Sequence, residues 1–334
     1  AIFETENSSP SSFASDREAI QAAREGVALC DRSHWGLLEL SGEDRLRFLH
    51  NQSTNDFDRL QPGQGCDTVF VTSTARTIDL ATAYVTTGAV LVLVSPNRRQ
   101  QLMEWMDRFI FPMDRVELAD ISQDYAIFTL IGAKSDALLK QLGVEEILDR
   151  PQGSHALVQI GNTSLRVAVG SGLAMPGYTL IIPVGGAAEI WSQLTAGGAM
   201  AMGDRAWEQL RIQQGRPASD RELTEDYNPL EAGLWQTISF DKGCYIGQET
   251  IARLNTYKGV KQRLWGVRLD APAEPGTTVT VAGEKVGTLT SYTDTDQGPF
   301  ALAYIRTKAG SSGLKVQVGA TSGELVKVPF LTHE

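Results

Sequence analysis

The hydrophobic and polar positions divide the chain into a long mixed region followed by a shorter region of strands. In the long region, stretches with apolar residues at helical spacing alternate with short apolar runs, and the connections are short. This pattern predicts an α+β fold rather than a regular parallel sheet. Helices are predicted over 16–28, 98–109, 135–142, 187–194 and 204–213. Strands are predicted over 36–40, 69–72, 78–86, 90–95, 125–131, 156–160, 165–169 and 178–182.

A further helix is predicted directly after Ser41. The hydroxyl of Ser41 precedes the carboxyl of Asp44 by three positions, which is the spacing of a capping box. Leu46, Phe48 and Leu49 supply the apolar face of this helix. We therefore expect Ser41 to be its N-cap.

Near Lys261 the helical signals stop and strand-turn-strand signals take over. Strands are predicted over 264–269, 278–281, 286–292, 302–305, 314–318 and 326–330. The turn at Ala282 and Gly283 supplies glycine where a tight hairpin needs positive φ. Such a series of short strands predicts a small β-barrel. We place the boundary at residue 258, which gives a body over 1–258 and a C-terminal barrel domain over 259–334.

The composition is that of a globular protein without affinity for nucleic acid or membranes. Of 334 residues, 42% are hydrophobic, and 40 acidic against 30 basic residues give a net charge of −10. Such a balance repels phosphate backbones. The most apolar windows, 89–94 and 180–184, are far shorter than the ~20 residues that a membrane helix needs. No secretory signal is predicted. We expect a cytoplasmic monomer, or a protein of an organellar matrix or stroma if a transit peptide was removed.

The cysteines and histidines form no recognisable disulfide or metal pattern. Cys30, Cys66 and Cys244 are odd in number and far apart, which favours reduced thiols over a disulfide framework. We expect Cys244 to be solvent-reachable and reactive, and Cys30 and Cys66, which lie next to apolar runs, to be buried and inert. The four histidines show no H-x-x-x-H or E-x-x-H spacing. The sequence therefore predicts no metal site, and we expect structural roles for the histidines.

Residues 242–249, which read KGCYIGQE, have the clearest chemical character. The glycines on both sides of Cys244 let the backbone turn sharply and let a ligand approach closely. Lys242 places a cation near the thiol, which favours the nucleophilic thiolate. Alternatively, Cys244 is a small buried hydrophobic residue, as many free cysteines are. One thiol does not make a storage scaffold, because an iron–sulfur cluster takes about four thiolates.

This octapeptide resembles the K-G-C-[FY]-x-G-Q-E motif of the YgfZ family, whose members are relatives of the glycine-cleavage T-protein. Three other segments are similar to T-protein motifs in the same order. Residues 31–35 (DRSHW) resemble D-x-S-H-M, 210–215 (LRIQQG) resemble L-R-L-E-x-G, and 228–234 (NPLEAGL) contain P-[LV]-E-x-x-L. The resemblance implies a three-domain ring around a central hole that holds tetrahydrofolate. The body would then consist of two intertwined α+β domains.

Two charged residues match T-protein positions that face the folate. Asp79 matches the second acidic residue of D-D-L, where a carboxylate can orient an N–H group or exchange a proton. Arg211 matches the helix arginine that the T-protein turns toward the folate, and a guanidinium suits carboxylate or carbonyl recognition. The alternatives are a surface strand residue for Asp79 and a solvated helix charge for Arg211.

The remaining candidate folate contacts are Tyr178, Trp235, Lys242 and Gln248. Tyr178 lies in the segment that resembles the T-protein's D-G-[FVY]-E-[IL], and Trp235 follows residues 228–234. A tryptophan ring can stack on a pterin, although tryptophans belong more often to cores and domain interfaces. Lys242 and Gln248 belong to the octapeptide.

The chain departs from the T-protein at the pterin-anchoring acid, which is Thr179 here, and at the first acid of D-D-L, which is Ile78. One hydroxyl cannot accept both pterin donors as a carboxylate does, so folate binding should be weaker or shifted.

The resemblance favours a tetrahydrofolate-binding accessory protein for the assembly or repair of iron–sulfur enzymes. Its partners would be reduced folate and those client enzymes, with Cys244 as the acting thiol. The alternatives are a folate-dependent, aminomethyl-type one-carbon transferase using Asp79, and a non-catalytic folate-binding interaction module with a structural Cys244. Whether the protein is an enzyme stays open.

Overall fold

The computed structural model describes residues 11–13 and 15–333. The helices are α1 (Asp16–Glu25), α2 (Arg45–Gln52), α3 (Arg99–Asp107), α4 (Ser135–Gln141), α5 (Ala187–Ala196), α6 (Asp204–Gln214) and α7 (Gln248–Thr256). The strands that precede the barrel are β1 (Ala28–Asp31), β2 (Gly36–Ser41), β3 (Gly65–Val71), β4 (Thr77–Val85), β5 (Ala89–Val94), β6 (Glu117–Asp120), β7 (Tyr125–Ile131), β8 (His155–Ile160), β9 (Thr163–Val169), β10 (Gly177–Pro183) and β11 (Met200–Met202). The barrel strands are β12 (Gln262–Leu269), β13 (Thr278–Val281), β14 (Glu284–Thr295), β15 (Gly298–Arg306), β16 (Lys315–Val318) and β17 (Thr321–Val326).

The chain forms two compact units that interleave in sequence. The first unit comprises residues up to 50, 56–68 and 81–208, and the second comprises 51–55, 69–80 and 209 onward. Strands β3 and β4 each contribute residues to both units.

The first unit contains a mixed six-stranded sheet of order β11-β1-β7-β10-β9-β8. Strand β1 pairs in parallel with β11, and the other pairs are antiparallel. Leucines of α4 and α5 pack with the apolar residues of β7, β9 and β10 in one core. A second sheet has the order β3-β4-β5-β2-β6. Most strand pairs in the two sheets are antiparallel, and such sheets combined with helices are typical of an α+β fold.

The second unit contains a closed barrel of order β12-β15-β14-β13-β16-β17. Trp265, Val267 and Leu289 belong to its buried interior. At the β13–β14 turn, φ is 50° at Ala282 and 84° at Gly283, and positive φ at both central residues is the geometry of a type I′ hairpin turn. The predicted C-terminal β-barrel and the α+β class are both confirmed.

Several sequence predictions about element bounds are wrong, among them those for the first helix, for Ser41 and for the last strand. The helix predicted over 16–28 ends at Glu25 because Gly26 terminates it, and the next apolar run forms β1, which pairs with β7. Ser41 is not a helix cap: it is the last residue of β2 and pairs with Ala89, and α2 begins only at Arg45. The last strand is β17, and Val328 beyond it packs in a core without being part of a strand.

Candidate functional site

The segment that carries Cys244 is held at both ends by residues at and just after the end of α2. On one side, the backbone N–H of Ser239 donates to the carbonyl of Thr54 at 3.0 Å. On the other side, the N–H of Ile246 donates to the carbonyl of Asn51 at 3.0 Å. Both ends of the segment are therefore fixed to the same short stretch of chain, within the second unit.

Between these two ends, the side chain of Lys242 is buried and reaches the same stretch of chain. Its Nζ donates to the carbonyl oxygens of Ser53 at 2.7 Å and Asn55 at 2.6 Å. The ammonium also lies 4.6 Å from the centre of the Tyr245 ring, within cation–π range. Buried cations need partners of this kind. Lys242 is thus an anchor of the segment, a role that the sequence analysis did not assign to it.

Tyr245 and Trp235 connect the segment to a hydrophobic core. Tyr245 is buried, and this burial raises its pKa to about 12. Trp235, in the 3₁₀ turn Trp235–Thr237, packs against the same core, and its ring centre lies 5.8 Å from that of Phe240. Phe240 is 41% exposed. The buried members of this core are Ala75, Leu230, Ile238, Tyr245, Ile251 and Val260.

Cys244 itself is exposed, although Lys242 and Tyr245 on either side of it are buried. Gly247 follows with φ of 82°, and a Cβ atom there would lie 2.9 Å from the carbonyl oxygen of Thr72. Only glycine fits this position without strain. Helix α7 begins directly afterwards at Gln248, whose N–H donates to the carbonyl of Tyr245 at 3.2 Å. The thiol is therefore presented to solvent by a backbone that is fixed on both sides.

The other two cysteines differ from Cys244 in exposure. Cys30 lies in β1 and is fully buried, and this burial raises the pKa of its thiol. Cys66 lies in β3 and is partly exposed. The predictions that Cys244 is reachable and Cys30 is buried are confirmed. The prediction that Cys66 is buried is wrong, because the first three residues of β3 are only partly buried and the burial begins at Thr68.

Asp79 is buried in the interior of β4, between the buried residues Ile78 and Leu80. The start of this strand is fixed by Thr77, whose N–H donates to the carbonyl of Tyr227 at 2.9 Å. The alternative of a surface strand residue is therefore wrong. Because burial of a carboxylate is costly, its presence at this position is not explained by packing alone.

Arg211 belongs to a buried polar network of the second unit. It is 1% exposed, and its Nη1 lies 3.0 Å from Oε2 of Glu222, which is 0% exposed. Its Nη2 donates to Oγ of Ser291 at 2.9 Å, and that hydroxyl donates to Oε1 of Glu222 at 2.6 Å. The hydroxyl of Tyr304 donates to the carbonyl of Glu222 at 2.7 Å. Arg211 is thus not a solvated helix charge, and these contacts are structural; its role as a folate ligand stays a prediction.

Tyr178 lies in the first unit, whereas the other predicted site residues lie in the second. It is a buried core residue, and its hydroxyl donates to Oδ1 of Asp136 at 2.7 Å. Burial and this carboxylate raise the pKa of Tyr178. Its neighbour Thr179 is also buried and donates from Oγ1 to the carbonyl of Gly170 at 2.8 Å. Both hydroxyls thus donate hydrogen bonds to acceptors in the first unit.

Sequence reasoning missed Glu231 as a positioning residue. Its carboxylate accepts the N–H of Asn228 at 3.1 Å, and Oδ1 of Asn228 accepts the N–H of Glu231 at 3.0 Å. Burial raises the pKa of Glu231, against the effect of the hydrogen bond from the N–H of Asn228. Its carbonyl accepts the N–H of Leu264 at 3.0 Å. This reciprocal pair fixes the turn that precedes Trp235. Its sequence signals are the three-residue spacing of Asn228 and Glu231 and the fixed glutamate of the P-[LV]-E-x-x-L motif.

None of the helices within the described ranges, 11–13 and 15–333, has both the length and the apolar character to cross a membrane.

Comparison with known proteins places the chain among the relatives of aminomethyltransferases. Over 326 residues it is 48% identical to the chloroplastic protein At1g60990 of Arabidopsis thaliana, which is named as a transferase, with 97% of this chain and 76% of the relative covered. It is 28% identical to the aminomethyltransferase of Synechococcus elongatus, over 92% of this chain and 86% of the relative. The fold is similar to that of glycine cleavage system aminomethyltransferase T from Bartonella henselae, with a TM-score of 0.84, 18% identity, and 96% and 90% of the two chains covered. Residues 3–242 match the model of the GCVT N-terminal domain, and the chain therefore belongs to the GCVT, aminomethyltransferase-like family.

Proposed function

We propose that this protein is a tetrahydrofolate-binding accessory factor of the YgfZ type, which supports the assembly or repair of iron–sulfur enzymes through Cys244. The observation that carries the proposal is the exposed thiol on a segment fixed at both ends. Structural cysteines are usually buried, and nothing in local packing requires a cysteine at an exposed position.

The arrangement around the thiol supports a reaction with a large partner rather than with a small enclosed substrate. Cys244 and Gly243 are exposed, and Phe240 adds apolar surface on the same segment. A thiolate is a ligand for iron and a nucleophile toward sulfur. An exposed, rigidly held thiol can therefore meet a cluster or a cysteine at the surface of a client enzyme.

Membership of the GCVT family supports tetrahydrofolate as the small-molecule ligand, because relatives along nearly the whole chain are named aminomethyltransferases. Asp79 keeps the acidic residue that the resemblance places beside the folate amine. At the pterin-anchoring position, Thr179 has a neutral side chain whose hydroxyl is bound to Gly170. We propose that reduced folate binds, but without the carboxylate–pterin contact of the glycine-cleaving enzymes.

The second candidate function is a one-carbon transferase that uses Asp79. The buried position of Asp79 favours it, since a carboxylate removed from water can be tuned for proton exchange. The two candidates differ in which variant abolishes function. An accessory thiol requires Cys244, whereas transfer chemistry requires Asp79 and tolerates a serine in place of Cys244.

The deciding experiment measures the activity of an iron–sulfur client enzyme in cells that lack their own YgfZ-type protein. Wild-type protein should restore the client, Cys244→Ser should not, and the matched control Cys66→Ser should restore it. Full restoration by Cys244→Ser together with loss in Asp79→Asn would support the transferase. Restoration by both variants would support the non-catalytic folate-binding module.

The name of the Arabidopsis thaliana relative supports the organellar alternative to the cytoplasm. The Arabidopsis thaliana relative is named as chloroplastic, and we propose the stroma of an organelle as the site of action. Fluorescence of the full-length precursor fused to a reporter should coincide with that compartment; an even cytoplasmic signal would contradict the proposal.

A further inference from the structure

The first unit contains a cluster of three potential metal ligands, His50, Asp56 and Asp58. These residues are far from Cys244 in sequence. His50 lies at the end of α2, and Asp56 and Asp58 follow in the loop before β3. One ligand atom from each lies within 4.8 Å of the other two. The histidine side chain is 7% exposed, that of Asp56 is 13% exposed, and that of Asp58 is 62% exposed.

The two separations from the histidine nitrogen to the carboxylates match the edges of a coordination tetrahedron, and the two carboxylates lie within 4.8 Å of each other. Nδ1 of His50 lies 3.2 Å from Oδ1 of Asp56 and 3.5 Å from Oδ2 of Asp58. Zinc binds histidine nitrogen and carboxylate oxygen at about 2.0–2.2 Å in tetrahedral geometry, so neighbouring ligand atoms stand about 3.3–3.6 Å apart. The ring nitrogen therefore already stands at ligand distances from both carboxylates.

The carboxylate of Asp56 is oriented by contacts of its own. Nε of Arg59 lies 3.1 Å from its Oδ2, and the N–H of Asp58 donates to its Oδ1 at 3.1 Å. Metal-binding carboxylates are commonly held in this way by outer hydrogen-bond partners. The carboxylates of Asp56 and Asp58 place negative charge beside the imidazole nitrogen, which favours a dication.

We propose that His50, Asp56 and Asp58 form a site for one divalent metal ion of the zinc class, with a fourth position open to solvent on the side of Asp58. The donor set of one imidazole and two carboxylates suits Zn²⁺ and its tetrahedral analogue Co²⁺. The spacing H-x₅-D-x-D belongs to none of the familiar metal motifs, which is why the sequence predicted no site. The proposal is independent of the function assigned to Cys244.

The experiment uses the full chain without an affinity tag, stripped of metal and then loaded with one equivalent of Zn²⁺. After gel filtration, zinc is counted by plasma mass spectrometry, and affinity is measured by calorimetry. The primary variant is Asp58→Asn, because Asp58 is exposed and its replacement leaves the core intact. The matched control is Asp107→Asn, an exposed aspartate of the same unit. Cys244→Ser controls for binding at the exposed thiol.

We expect one zinc ion per chain in the wild type, in Asp107→Asn and in Cys244→Ser. Asp58→Asn should bind at least tenfold more weakly, since even the loss of an outer partner of a metal ligand costs about 10–100-fold. Zinc should raise the thermal midpoint of the wild type but not of Asp58→Asn, because a ligand stabilises the state that binds it. Cobalt should give the visible absorption of a four-coordinate ion.

The proposal is overturned if the wild type retains no zinc, if Asp58→Asn binds as tightly as Asp107→Asn, or if zinc is lost only in Cys244→Ser. The first result would mean that the three residues form an ordinary ion-pair cluster. Circular dichroism of Asp58→Asn confirms that its fold is intact, so that weaker binding reports the missing ligand. His50→Asn then tests the nitrogen ligand by the same measurements.

Discussion

The ammonium of Lys242 lies 2.7 Å from the carbonyl oxygen of Ser53, and this hydrogen bond joins residues that are 189 positions apart in sequence. A second carbonyl, that of Asn55, lies 2.6 Å from the same ammonium. The lysine before the cysteine therefore holds the segment to the residues that follow α2. Its charge is compensated by backbone dipoles in a buried site.

Replacement of this anchor should loosen the thiol segment. In Lys242→Met, the buried carbonyl of Ser53 and the partly buried carbonyl of Asn55 lose charge-assisted hydrogen bonds, and we expect a loss of about 2–4 kcal/mol in the free energy of unfolding. Urea unfolding measures the loss, and hydrogen exchange should rise at Ile246 and in α7. The matched control is Lys261→Met, whose side chain is exposed. Equal stability of the two variants would contradict the anchoring role.

Arg211 should behave as a structural residue. In Arg211→Met, the buried carboxylate of Glu222 loses its charged partner, and breaking such a pair costs about 3–5 kcal/mol. Guanidinium unfolding measures this cost, with the exposed Arg221→Met as the control. In the double variant Arg211→Met/Glu222→Leu, part of the lost stability should return, because neither charge of this pair is then left buried without its partner. If Arg211→Met were as stable as the wild type but bound folate more weakly, Arg211 would be a ligand after all.

His155 gives the first unit a pH-dependent stability. Its Nε2 lies 3.2 Å from the carbonyl of Gln64, and Nη1 of Arg166 lies 2.8 Å from its Nδ1. An arginine can only donate, so Nδ1 accepts and the ring is neutral. Burial and Arg166 lower the pKa of His155 from 6.5 to about 4.

The imidazole of His155 is therefore protonated at lower pH in the folded chain than in the unfolded chain. Its contribution to the free energy of unfolding is complete above pH 6.5 and is lost as the pH falls toward 4. After allowance for solvent screening, we expect about 1–2 kcal/mol over this window. Urea unfolding between pH 7 and pH 4 measures it. His155→Gln should show a smaller loss over the same range; an unchanged slope would contradict the assignment.

Most helices and strands could be predicted from the spacing of apolar residues, because the residues with that spacing are the ones that are buried. The strand over Tyr125–Ile131 was predicted with the bounds that it has. The failures have local causes. Three-residue and four-residue strands such as β11 and β1 are too short to show a period of two, and their pairing partners are distant in sequence. Ser41 has the spacing of a cap, but cross-strand pairing with Ala89 determines its conformation.

In the candidate site, the sequence predicts only those features that depend on the types of the neighbouring side chains. The exposure of Cys244 follows from the glycines and polar residues around it, and this prediction is confirmed. The anchoring of Lys242 could not be predicted, because its partners are backbone carbonyls, which have no residue-type signature. The burial of Arg211 depends on Glu222 and on Ser291, which is 80 positions away in sequence. Without these distant partners, an arginine in a helix is expected to be a solvated charge, which was one of the two interpretations of Arg211.

The position of Thr179 predicts that the protein lacks glycine-cleavage activity. Its hydroxyl donates to Gly170, and no carboxylate stands at this position to accept both pterin donors. We expect no methylene-tetrahydrofolate from an aminomethyl-lipoyl donor, with a glycine-cleaving T-protein as the positive control. Reduced folate at millimolar concentration should nevertheless raise the thermal midpoint, because a ligand that binds the folded state stabilises it. Robust product formation would show that the departure at Thr179 is harmless.

The three cysteines should react with iodoacetamide in the order of their exposure. Cys244 is exposed, Cys66 is partly exposed and Cys30 is buried in β1. Alkylation of Cys30 requires opening of the sheet, and with an ordinary stability of about 5–15 kcal/mol this slows its reaction at least a thousandfold. Mass spectrometry of peptides from the native protein gives the three rates, and the chain in guanidinium, where all three thiols are free, gives the reference. Slower alkylation of Cys244 than of Cys66 in the native protein would remove the basis for its role as the acting thiol.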